Sequence, residues 1–503
     1  MTPHSFHFSD VWYQIRGCRN NIAVAIAFFA LIYVGTIIFW YLFFHPLAHV
    51  PGPFLAKVLP QYLSPATIRG DRAQTLLALH QKYGPVVRVS PDEVSVGDYK
   101  YYREIYSQKA SIKDEAFYAS GTFLVGHENI FSMRDKTQHS SRRKMQSTSY
   151  SQQAILESGS LVGDKADILV RRMKAAALTD PLGQVNAYHL CGLFSFEVIC
   201  KIGFAKDFGG NVDGESSKLL KSMDESAKVL PLTVIFPFLK TWGIGKYIPG
   251  FVGSVFGSFE YWKLKTREIV QTFTEESPEG FIFSPLVTIV DQSLGRRLTE
   301  DERVEEALGL MFAGSGTTSS TLTYLLFALS LPESQEYQRR LRDEVREAPD
   351  NYQDIKDLPF LNAVIKETMR LYPTIISTLP RVLTTELLVS NYVLPQGTRI
   401  GMQNYVHHRD PAVFPKPDKF LPDRWMDATK EMEAALTPFS LGPRNCIGQN
   451  LARAELYEAT NKIFRQLEVR LDPSMRREDM HMEDRFNIAP RSRKLIVQIK
   501  ALQ

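Results

Sequence analysis

Cysteine is scarce in this chain of 503 residues, which contains only four, Cys18, Cys191, Cys200 and Cys446. So few and unpatterned cysteines argue against a disulfide framework and favour a reducing compartment for most of the chain. Cys191 and Cys200 lie in the apolar segment HLCGLFSFEVICKIGF, which is typical of thiols that pack as small buried hydrophobic side chains. Cys446 lies apart from them and needs another explanation.

Blocks of like charge are also absent. The chain has 59 basic and 55 acidic residues, a formal net charge of +4, and both signs are mixed along its length. Nucleic-acid-binding domains usually concentrate basic residues on one face or in one stretch. We therefore expect no nucleic-acid partner.

Residues 54–503 contain no internal repeat, no low-complexity segment and no Gly/Ser-rich linker that would divide them. Most of this stretch has helical patterns. The exception is PVVRVSPDEVSVGD, residues 85–98, whose period-2 hydrophobic pattern predicts two short strands around a turn. We predict a mainly α fold with small β-sheets, in one large domain of residues 54–503.

One long hydrophobic run is present. Residues 22–44 form 23 positions without a charge, enough for a helix to cross the ~30 Å apolar layer of a bilayer, and Trp40 and Tyr41 resemble interface anchors. A cleaved signal peptide is the alternative, but no small-residue cleavage site follows. We predict a short tail at 1–21, a transmembrane anchor at 22–44 and an extended, stiff, proline-rich hinge at 45–53.

The longest predicted helix has clear ends. Thr299 and Glu302 form a capping-box pair, and Pro332 stops the far end, which gives roughly 32 residues and ~48 Å. Its middle, MFAGSGTTSS at 311–320, contains two glycines and several hydroxyl side chains, which favour a local opening of the hydrogen-bond ladder beside a ligand. A close crossing with another helix at glycine is the alternative.

Cys446 lies in FSLGPRNCIG, residues 439–448, just before an amphipathic helix. Gly442 and Gly448 allow a sharp turn and close approach to a flat ligand. Backbone amides and the positive end of the helix stabilise a thiolate. These conditions suit a single axial thiolate that faces a large planar cofactor.

The same ten residues resemble the cysteine-ligand loop of the cytochrome P450 superfamily, the haem-thiolate monooxygenases. They match at Phe439, Gly442, Arg444, Cys446 and Gly448. The resemblance implies that Cys446 is the axial ligand of haem b iron and that Arg444 pairs with a haem propionate. It also implies that Phe439 packs near the sulfur and that both glycines bring the backbone close to the haem.

KETMRLYP resembles the Glu-x-x-Arg motif of the family, with Glu367 and Arg370 three residues apart. In the family this pair binds a second arginine from a later loop, and FLPDRW provides Arg424 at that place. The resemblance implies a buried ion cluster with a structural role.

Two further segments resemble haem-contacting positions. Arg381, which follows Pro380, matches a strand arginine that binds a propionate. MRDKTQHSSRRK resembles the helix that contacts the haem from the other side, with His139 and Arg143 at its propionate-contacting positions.

AGSGTT resembles the oxygen-activation motif of the family, which makes Thr317 the catalytic hydroxyl that guides protons during dioxygen activation. Gly316 stands where the family usually has an acid. We expect water held by Ser315 or Thr318, or a group on the substrate, to replace that acid. The resemblance lines the substrate pocket with the stretch 117–126 and with mostly apolar side chains, Phe312, Ala313, Thr317, Ile375, Ile376, Thr378, Phe486 and Ile488.

The resemblance implies a single-pass enzyme of the endoplasmic reticulum with a cytosolic catalytic domain, although Arg16 and Arg19 before the anchor leave the charge pattern ambiguous. It would oxidise a lipophilic small molecule, as a tailoring step in fungal secondary metabolism. NADPH–cytochrome P450 reductase, with cytochrome b5 as a further donor, would supply electrons from NADPH. A reductase-independent haem-thiolate isomerase is the alternative, and a haem-free cysteine hydrolase or membrane-anchored binding protein is a remote one.

Overall fold

Helices dominate the computed structural model, which describes residues 8–107, 109–209, 211–274, 276–277 and 280–502. The α-helices are α1 Phe8–Phe43, α2 Phe54–Val58, α3 Ser64–Arg69, α4 Arg72–Tyr83, α5 Tyr102–Tyr106, α6 Glu115–Ser120, α7 Lys136–Ser147, α8 Gln152–Glu157, α9 Gly159–Thr179, α10 Ala187–Phe204, α11 Glu215–Ser226, α12 Val229–Ile235, α13 Phe238–Thr241, α14 Phe251–Thr272, α15 Ser284–Thr288, α16 Glu300–Ser330, α17 Gln335–Glu347, α18 Tyr352–Ile355, α19 Pro359–Leu371, α20 Asn404–His407, α21 Lys430–Ala435 and α22 Gln449–Gln466. The predicted mainly α fold with small sheets is confirmed.

The strands form small sheets around this helical body. They are β1 Val86–Ser90, β2 Glu93–Val96, β3 Ser111–Lys113, β4 Gln184–Asn186, β5 Arg381–Leu383, β6 Leu387–Val389, β7 Tyr392–Leu394, β8 Arg399–Gly401, β9 Leu467–Leu471, β10 Met482–Arg485, β11 Asn487–Pro490 and β12 Ile496–Ala501. The largest sheet has the order β1-β2-β8-β5-β3, a second has β4-β12-β9, and β6-β7 and β10-β11 are hairpins. The antiparallel β1-β2 pair is the hairpin predicted from residues 85–98.

Helix α1 begins well before the predicted anchor. Its segment Val24–Phe43 has a mean hydropathy of 2.2, and none of it is buried against the rest of the chain, so it is a candidate membrane span. The apolar helix α10 has a mean hydropathy of 1.2, but 83% of it is buried, as expected for a core helix. The rest of the chain therefore covers α10 but leaves the apolar segment of α1 exposed.

Residues 44–50 form turns, whereas the prolines predict an extended connection; the extended part is limited to residues 51–53, which lie against β1. Leu47 is buried, and the Arg88 backbone N–H donates to Pro51 O at 2.7 Å. The Arg88 guanidinium donates to Tyr41 O near the end of α1 at 3.0 Å and to Leu47 O at 3.3 Å. The globular body therefore holds the C-terminal end of α1.

The capping box of α16 forms as predicted. The Thr299 hydroxyl accepts from Glu302 N at 3.3 Å, and the Glu302 carboxylate accepts from Thr299 N at 2.7 Å. The helix ends at Ser330, just before Pro332. The sequence signals at both ends are therefore sufficient to define this helix.

The predicted opening of α16 at 311–320 is wrong, because the helix is continuous there. Two of its hydroxyl side chains bond back to carbonyls of the preceding turn without breaking the ladder: Thr317 Oγ1 donates to Ala313 O at 2.7 Å and Ser319 Oγ to Gly316 O at 3.2 Å. Gly314 instead allows a close crossing with α10, since a Cβ there would lie 2.6 Å from Ile199 Cγ1. The close-crossing alternative therefore accounts for this glycine.

Candidate active site

The loop that carries Cys446 is a tight turn closed by backbone hydrogen bonds. Cys446 N donates to Phe439 O at 2.9 Å, and Asn445 N donates to Gly442 O at 3.1 Å. Gly442 has φ of +76°, and a Cβ on it would lie 3.2 Å from Tyr106 O. Glycine at 442 is therefore required both by the backbone conformation and by the neighbouring chain.

Cys446 is exposed, whereas Cys191 and Cys200 are buried. Burial of the surrounding loop raises the pKa of the Cys446 thiol. The Gly448 N–H and the Arg143 guanidinium act in the opposite direction and stabilise the thiolate. Gly448 directly precedes the first residue of α22, so the sulfur lies near the positive end of that helix.

The middle of α16 borders accessible space, as its first turn does. Ala313 is exposed and Phe312, Gly316 and Thr317 are half-buried, whereas every residue from 318 to 330 is buried. The Thr317 hydroxyl therefore lies at the C-terminal limit of the part of this helix that can meet a ligand.

Basic side chains gather where β3 and β5 pair. Lys113 lies directly opposite Arg381 in the antiparallel register, and both are buried. Like charges at directly opposed positions destabilise a sheet. Within the described residues, Lys113, Arg381 and the nearby Arg444 form no salt bridge, and Glu128 acts on Lys113 and Arg444 only from a longer distance.

The pKa values of these groups record their mutual repulsion. Burial, followed by the charges of Arg444 and Arg381, lowers the pKa of Lys113 to about 6. Burial and then Arg381 lower the pKa of Arg444 to about 10. Burial lowers the pKa of His139 to about 3, and Arg444, Lys113, Arg143 and Arg381 add to that effect. The group as a whole favours an anionic partner.

The contacts of Arg381 test whether this group fits a haem. Arg381 Nη1 donates to the Tyr118 hydroxyl at 2.6 Å, and its Nε is buried with no hydrogen-bond partner in the described part of the chain. A buried guanidinium without a counter-charge is unfavourable unless a ligand supplies the charge. Two propionate carboxylates fit that requirement.

Arg444 and Arg143, both predicted to contact propionates, also hold the cysteine loop. Arg444 donates to the carbonyls of Met133 at 2.7 Å and Arg134 at 3.0 Å, just before α7. Arg143 donates to Asn445 O at 2.8 Å and to Asn445 Oδ1 at 2.6 Å. A guanidinium has five N–H donors, so both side chains keep donors for a ligand.

Phe439, predicted to pack near the sulfur, lies at the start of the loop. Its ring faces the Arg453 guanidinium of α22, with 5.2 Å between the guanidinium carbon and the ring centroid. This contact and the Cys446 N–H bond to Phe439 O fix the loop against the helix that follows it.

Glu367, Arg370 and Arg424 come together as a buried cluster. Arg370 donates to Glu367 through Nε and Nη2, each at 2.8 Å, and Arg424 Nε donates at 3.2 Å. Trp425 Nε1 and the backbone N–H of Leu421 also donate to the Glu367 carboxylate, at 2.9 Å and 2.8 Å. One carboxylate therefore joins α19 to the loop around residues 421–425.

The predicted pocket residues divide into two groups. Phe312 and Ile375 are half-buried and present surface, whereas Ile376 is completely buried in the main core. The buried Thr378 hydroxyl accepts from Gln403 Nε2 at 2.6 Å. Aromatic rings dominate around Phe312, whose centroid lies 5.9 Å from that of Phe123, 6.2 Å from that of Trp262 and 6.2 Å from that of Phe486.

Sequence reasoning missed Lys113. No motif marks it, because a single lysine after SI is indistinguishable from an ordinary surface residue. Its significance follows only from the pairing of β3 with β5, two strands far apart in the sequence.

Known proteins resemble this chain over most of its length. The cytochrome P450 family model matches residues 51–497. The chain is 29% identical to cytochrome P450 monooxygenase orf2 of Aspergillus niger, over 90% of this chain and 93% of that protein. It is also 29% identical to cytochrome P450 monooxygenase tazI of Aspergillus terreus, over 90% of this chain and 94% of that protein.

The fold has a counterpart among solved structures. The retinoic acid-bound cyanobacterial CYP120A1 aligns with a TM-score of 0.73 and 20% identity, over 90% of this chain and 99% of that one. At this identity the match shows the fold alone, and it confirms the predicted fold class. Because the family match extends from the end of the proline-rich segment almost to the C-terminus and includes the cysteine loop, the chain belongs to the cytochrome P450 family of oxygen-incorporating oxidoreductases.

Proposed function

We propose that this monooxygenase oxidises an uncharged, lipophilic small molecule with electrons that NADPH supplies through a reductase. The observation that carries the proposal is an exposed thiol at the start of α22, linked through Arg143 to a buried group of mutually repelling cations. Such an arrangement suits a cofactor that has a thiolate-binding metal at its centre and carboxylates at its edge.

The cofactor of this proposal is haem b. Cys446 would bind its iron, with the Gly448 N–H and Arg143 stabilising the thiolate. Arg381, Lys113 and Arg444, together with His139 and further donors of Arg143, would hold the propionates. When bound, haem supplies the iron at which dioxygen is reduced and its O–O bond is cleaved.

Thr317 is the catalytic hydroxyl of the proposal. Its Oγ1 donates to Ala313 O at 2.7 Å, so in this conformation it can accept from water, and it donates onward when the hydroxyl rotates away from Ala313 O. Ser315 and Thr318, the other candidates to hold water, are buried in the same helix. Thr317 is therefore the hydroxyl of this stretch best placed to pass a proton, and Gly316 provides no acid beside it.

The reaction balances when one oxygen atom enters the substrate and the other leaves as water. This requires two electrons and two protons for each dioxygen, so NADPH and a reductase complete the equation, with cytochrome b5 as a further donor.

The aromatic surroundings of Phe312 favour a lipophilic substrate. The fungal monooxygenases similar to this chain favour a tailoring step in secondary metabolism.

We further propose that residues 22–44 anchor the protein in the endoplasmic reticulum, residues 45–53 connect, and residues 54–503 form the cytosolic catalytic domain. The candidate span Val24–Phe43 and the free cysteines among the described residues support this. Glycine at 316, where the family usually has an acid, supports one alternative, a reductase-independent isomerase of a hydroperoxide or endoperoxide.

Two measurements test the proposal. The reduced carbon monoxide complex should show the red-shifted Soret band of thiolate-ligated haem, and its absence would contradict the cofactor assignment. The full chain is then incubated with reductase, NADPH, ¹⁸O₂ and a panel of lipophilic fungal metabolites. A product that gains one ¹⁸O supports monooxygenation, whereas conversion of a hydroperoxide without reductase would favour the isomerase.

A further inference from the structure

Gly316 and Asn487 are complementary in shape. A Cβ on residue 316 would lie 2.3 Å from Asn487 Nδ2 and 3.4 Å from its Cγ, closer than packing permits. The carboxamide therefore occupies the volume that any side chain at 316 would fill. Glycine at this position of α16 is what allows a polar group from β11 to reach the helix.

The strand that carries Asn487 is fixed in place. Ser320 Oγ of α16 donates to Ile488 O at 2.6 Å, and Ile488 N donates to Thr374 O at 2.9 Å. On the other side, Asn487 pairs with Arg485 in the β10-β11 hairpin. The backbone around Asn487 is therefore fixed beside Gly316.

The Asn487 carboxamide is available to a ligand. It is half-buried, and within the described residues no hydrogen bond joins its side chain to another group. The adjacent Phe486 has φ of +81° and packs its ring against Phe131 and Phe312, which offer no hydrogen bonds. A carboxamide has two donors and an acceptor oxygen, and all of them are free to bind a ligand.

We propose that Asn487 is a positioning residue that binds an uncharged oxygen beside Thr317, and so supplies from β11 the polar group that α16 lacks at Gly316. This inference rests on the proposed function. The oxygen belongs to an ordered water or to a hydroxyl or carbonyl of the substrate, which share the same hydrogen-bonding chemistry. A carboxamide does not ionise near neutral pH, so it orients this oxygen and stores no proton.

A stability cycle tests the contact without any ligand. In the full chain, Gly316→Ala should lower the thermal midpoint, and the same change in an Asn487→Ala background should have a clearly smaller effect. Gly309→Ala is the matched control on the same helix, because a Cβ there would lie 3.5 Å from Asn129, an ordinary contact. Equal effects of Gly316→Ala in both backgrounds would overturn the proposal.

Two probes of the holoenzyme distinguish the source of the oxygen. Cumene hydroperoxide reports on proton assistance, through the ratio of 2-phenyl-2-propanol from heterolysis to acetophenone from homolysis. The ligands 1-phenylimidazole and 4-(imidazol-1-yl)phenol report on a hydroxyl contact, through the ratio of their spectral dissociation constants. Asn487→Leu keeps the shape and removes the hydrogen bonds, and Asn487→Asp keeps an acceptor.

Asn487→Leu should change one of the two ratios by about threefold to tenfold, the effect of one net hydrogen bond. A changed product ratio identifies the oxygen as that of water, and a changed affinity ratio identifies it as that of the substrate. Partial rescue by Asn487→Asp supports a polar rather than a packing effect. Both ratios unchanged in a folded Asn487→Leu holoenzyme would overturn the proposal. Absence of the thiolate Soret band would instead contradict the proposed function. The stability cycle would still test the contact between residue 316 and Asn487.

Discussion

Arg370 holds the Glu367 carboxylate with two parallel hydrogen bonds of 2.8 Å, and both side chains are completely buried. The same carboxylate also accepts from Arg424, at 3.2 Å. Removing the carboxylate would leave two guanidinium groups without their counter-charge in the interior.

Glu367→Ala should therefore lower the free energy of unfolding by about 3–5 kcal/mol, measured by urea denaturation, and should yield little haem-loaded protein. Glu433→Ala is the control, because its 2.6 Å ion pair with Lys366 lies at the surface and such pairs contribute about 0–1 kcal/mol. Equal stability of the two variants would contradict the structural role of the cluster.

Cys446→Ser should abolish the red-shifted Soret band of the reduced carbon monoxide complex, and with it the monooxygenase activity. A serine hydroxyl is a far weaker electron donor to iron than a thiolate. Cys200→Ala is the control, because Cys200 is completely buried in α10. A normal thiolate spectrum in Cys446→Ser would mean that another group binds the iron.

Thr317→Val should keep haem and substrate binding but divert reduced oxygen to hydrogen peroxide, because the isosteric side chain cannot pass a proton. The measurement is product and peroxide formed per NADPH, with a substrate identified by the ¹⁸O₂ screen. Thr323→Val is the control, since Thr323 makes the same type of bond, to Ser319 O at 2.8 Å, in the buried part of α16. An unchanged ratio would favour proton supply by the substrate or the isomerase alternative.

Stability should depend on pH through Glu305, a buried residue of α16 that accepts from the backbone N–H groups of Phe123 at 2.9 Å and Leu124 at 2.6 Å. Burial raises the pKa of Glu305 above its usual 4.5, so the folded protein binds this proton more tightly than the unfolded chain does. The resulting stabilisation is complete below pH 4.5 and is lost as pH rises through the raised value.

Glu305→Gln should remove that contribution. Unfolding midpoints in urea, measured for both proteins from pH 5 to pH 8, should show a wild-type slope that the variant lacks. Lys240, whose pKa burial lowers, acts in the opposite sense at higher pH and is present in both proteins. Parallel curves would show that Glu305 is ionised throughout.

Gly314→Ala should destabilise the crossing of α10 and α16, because a Cβ there would lie 2.6 Å from Ile199 Cγ1. Overpacking of this kind typically costs about 1–3 kcal/mol. Gly203→Ala is the control at the same pair of helices, with 3.4 Å between its Cβ and Leu310 Cδ2. Ile199→Ala should relieve the effect of Gly314→Ala, and additive effects would contradict the close contact.

The sequence predicts those parts of the site that depend on local pattern. The ends of α16, the β1-β2 hairpin and the loop before α22 follow from capping residues, alternation and glycine spacing. Glu367 and Arg370 are also local, since they lie one turn apart on α19.

Contacts between distant segments could not be predicted in the same way. Lys113 faces Arg381 only because β3 pairs with β5, and Asn487 reaches Gly316 only because β11 packs on α16. The opening predicted for α16 failed for a related reason, because Ile199 of another helix determines what Gly314 does. Hydrophobic periodicity predicts the secondary structure of each segment, but it does not show which other segment packs against it.

The hydrogen bonds from Arg88 to Tyr41 O and Leu47 O fix the rotation of α1 about its own axis relative to the globular body. A flexible linker would compensate for a change in the length of α1. Here one inserted residue would turn everything before the insertion by about 100° about the helix axis and shift it by about 1.5 Å relative to the globular body. If α1 lies in a bilayer, the number of residues between its lipid-facing side chains and Tyr41 determines which side of the globular body faces the membrane.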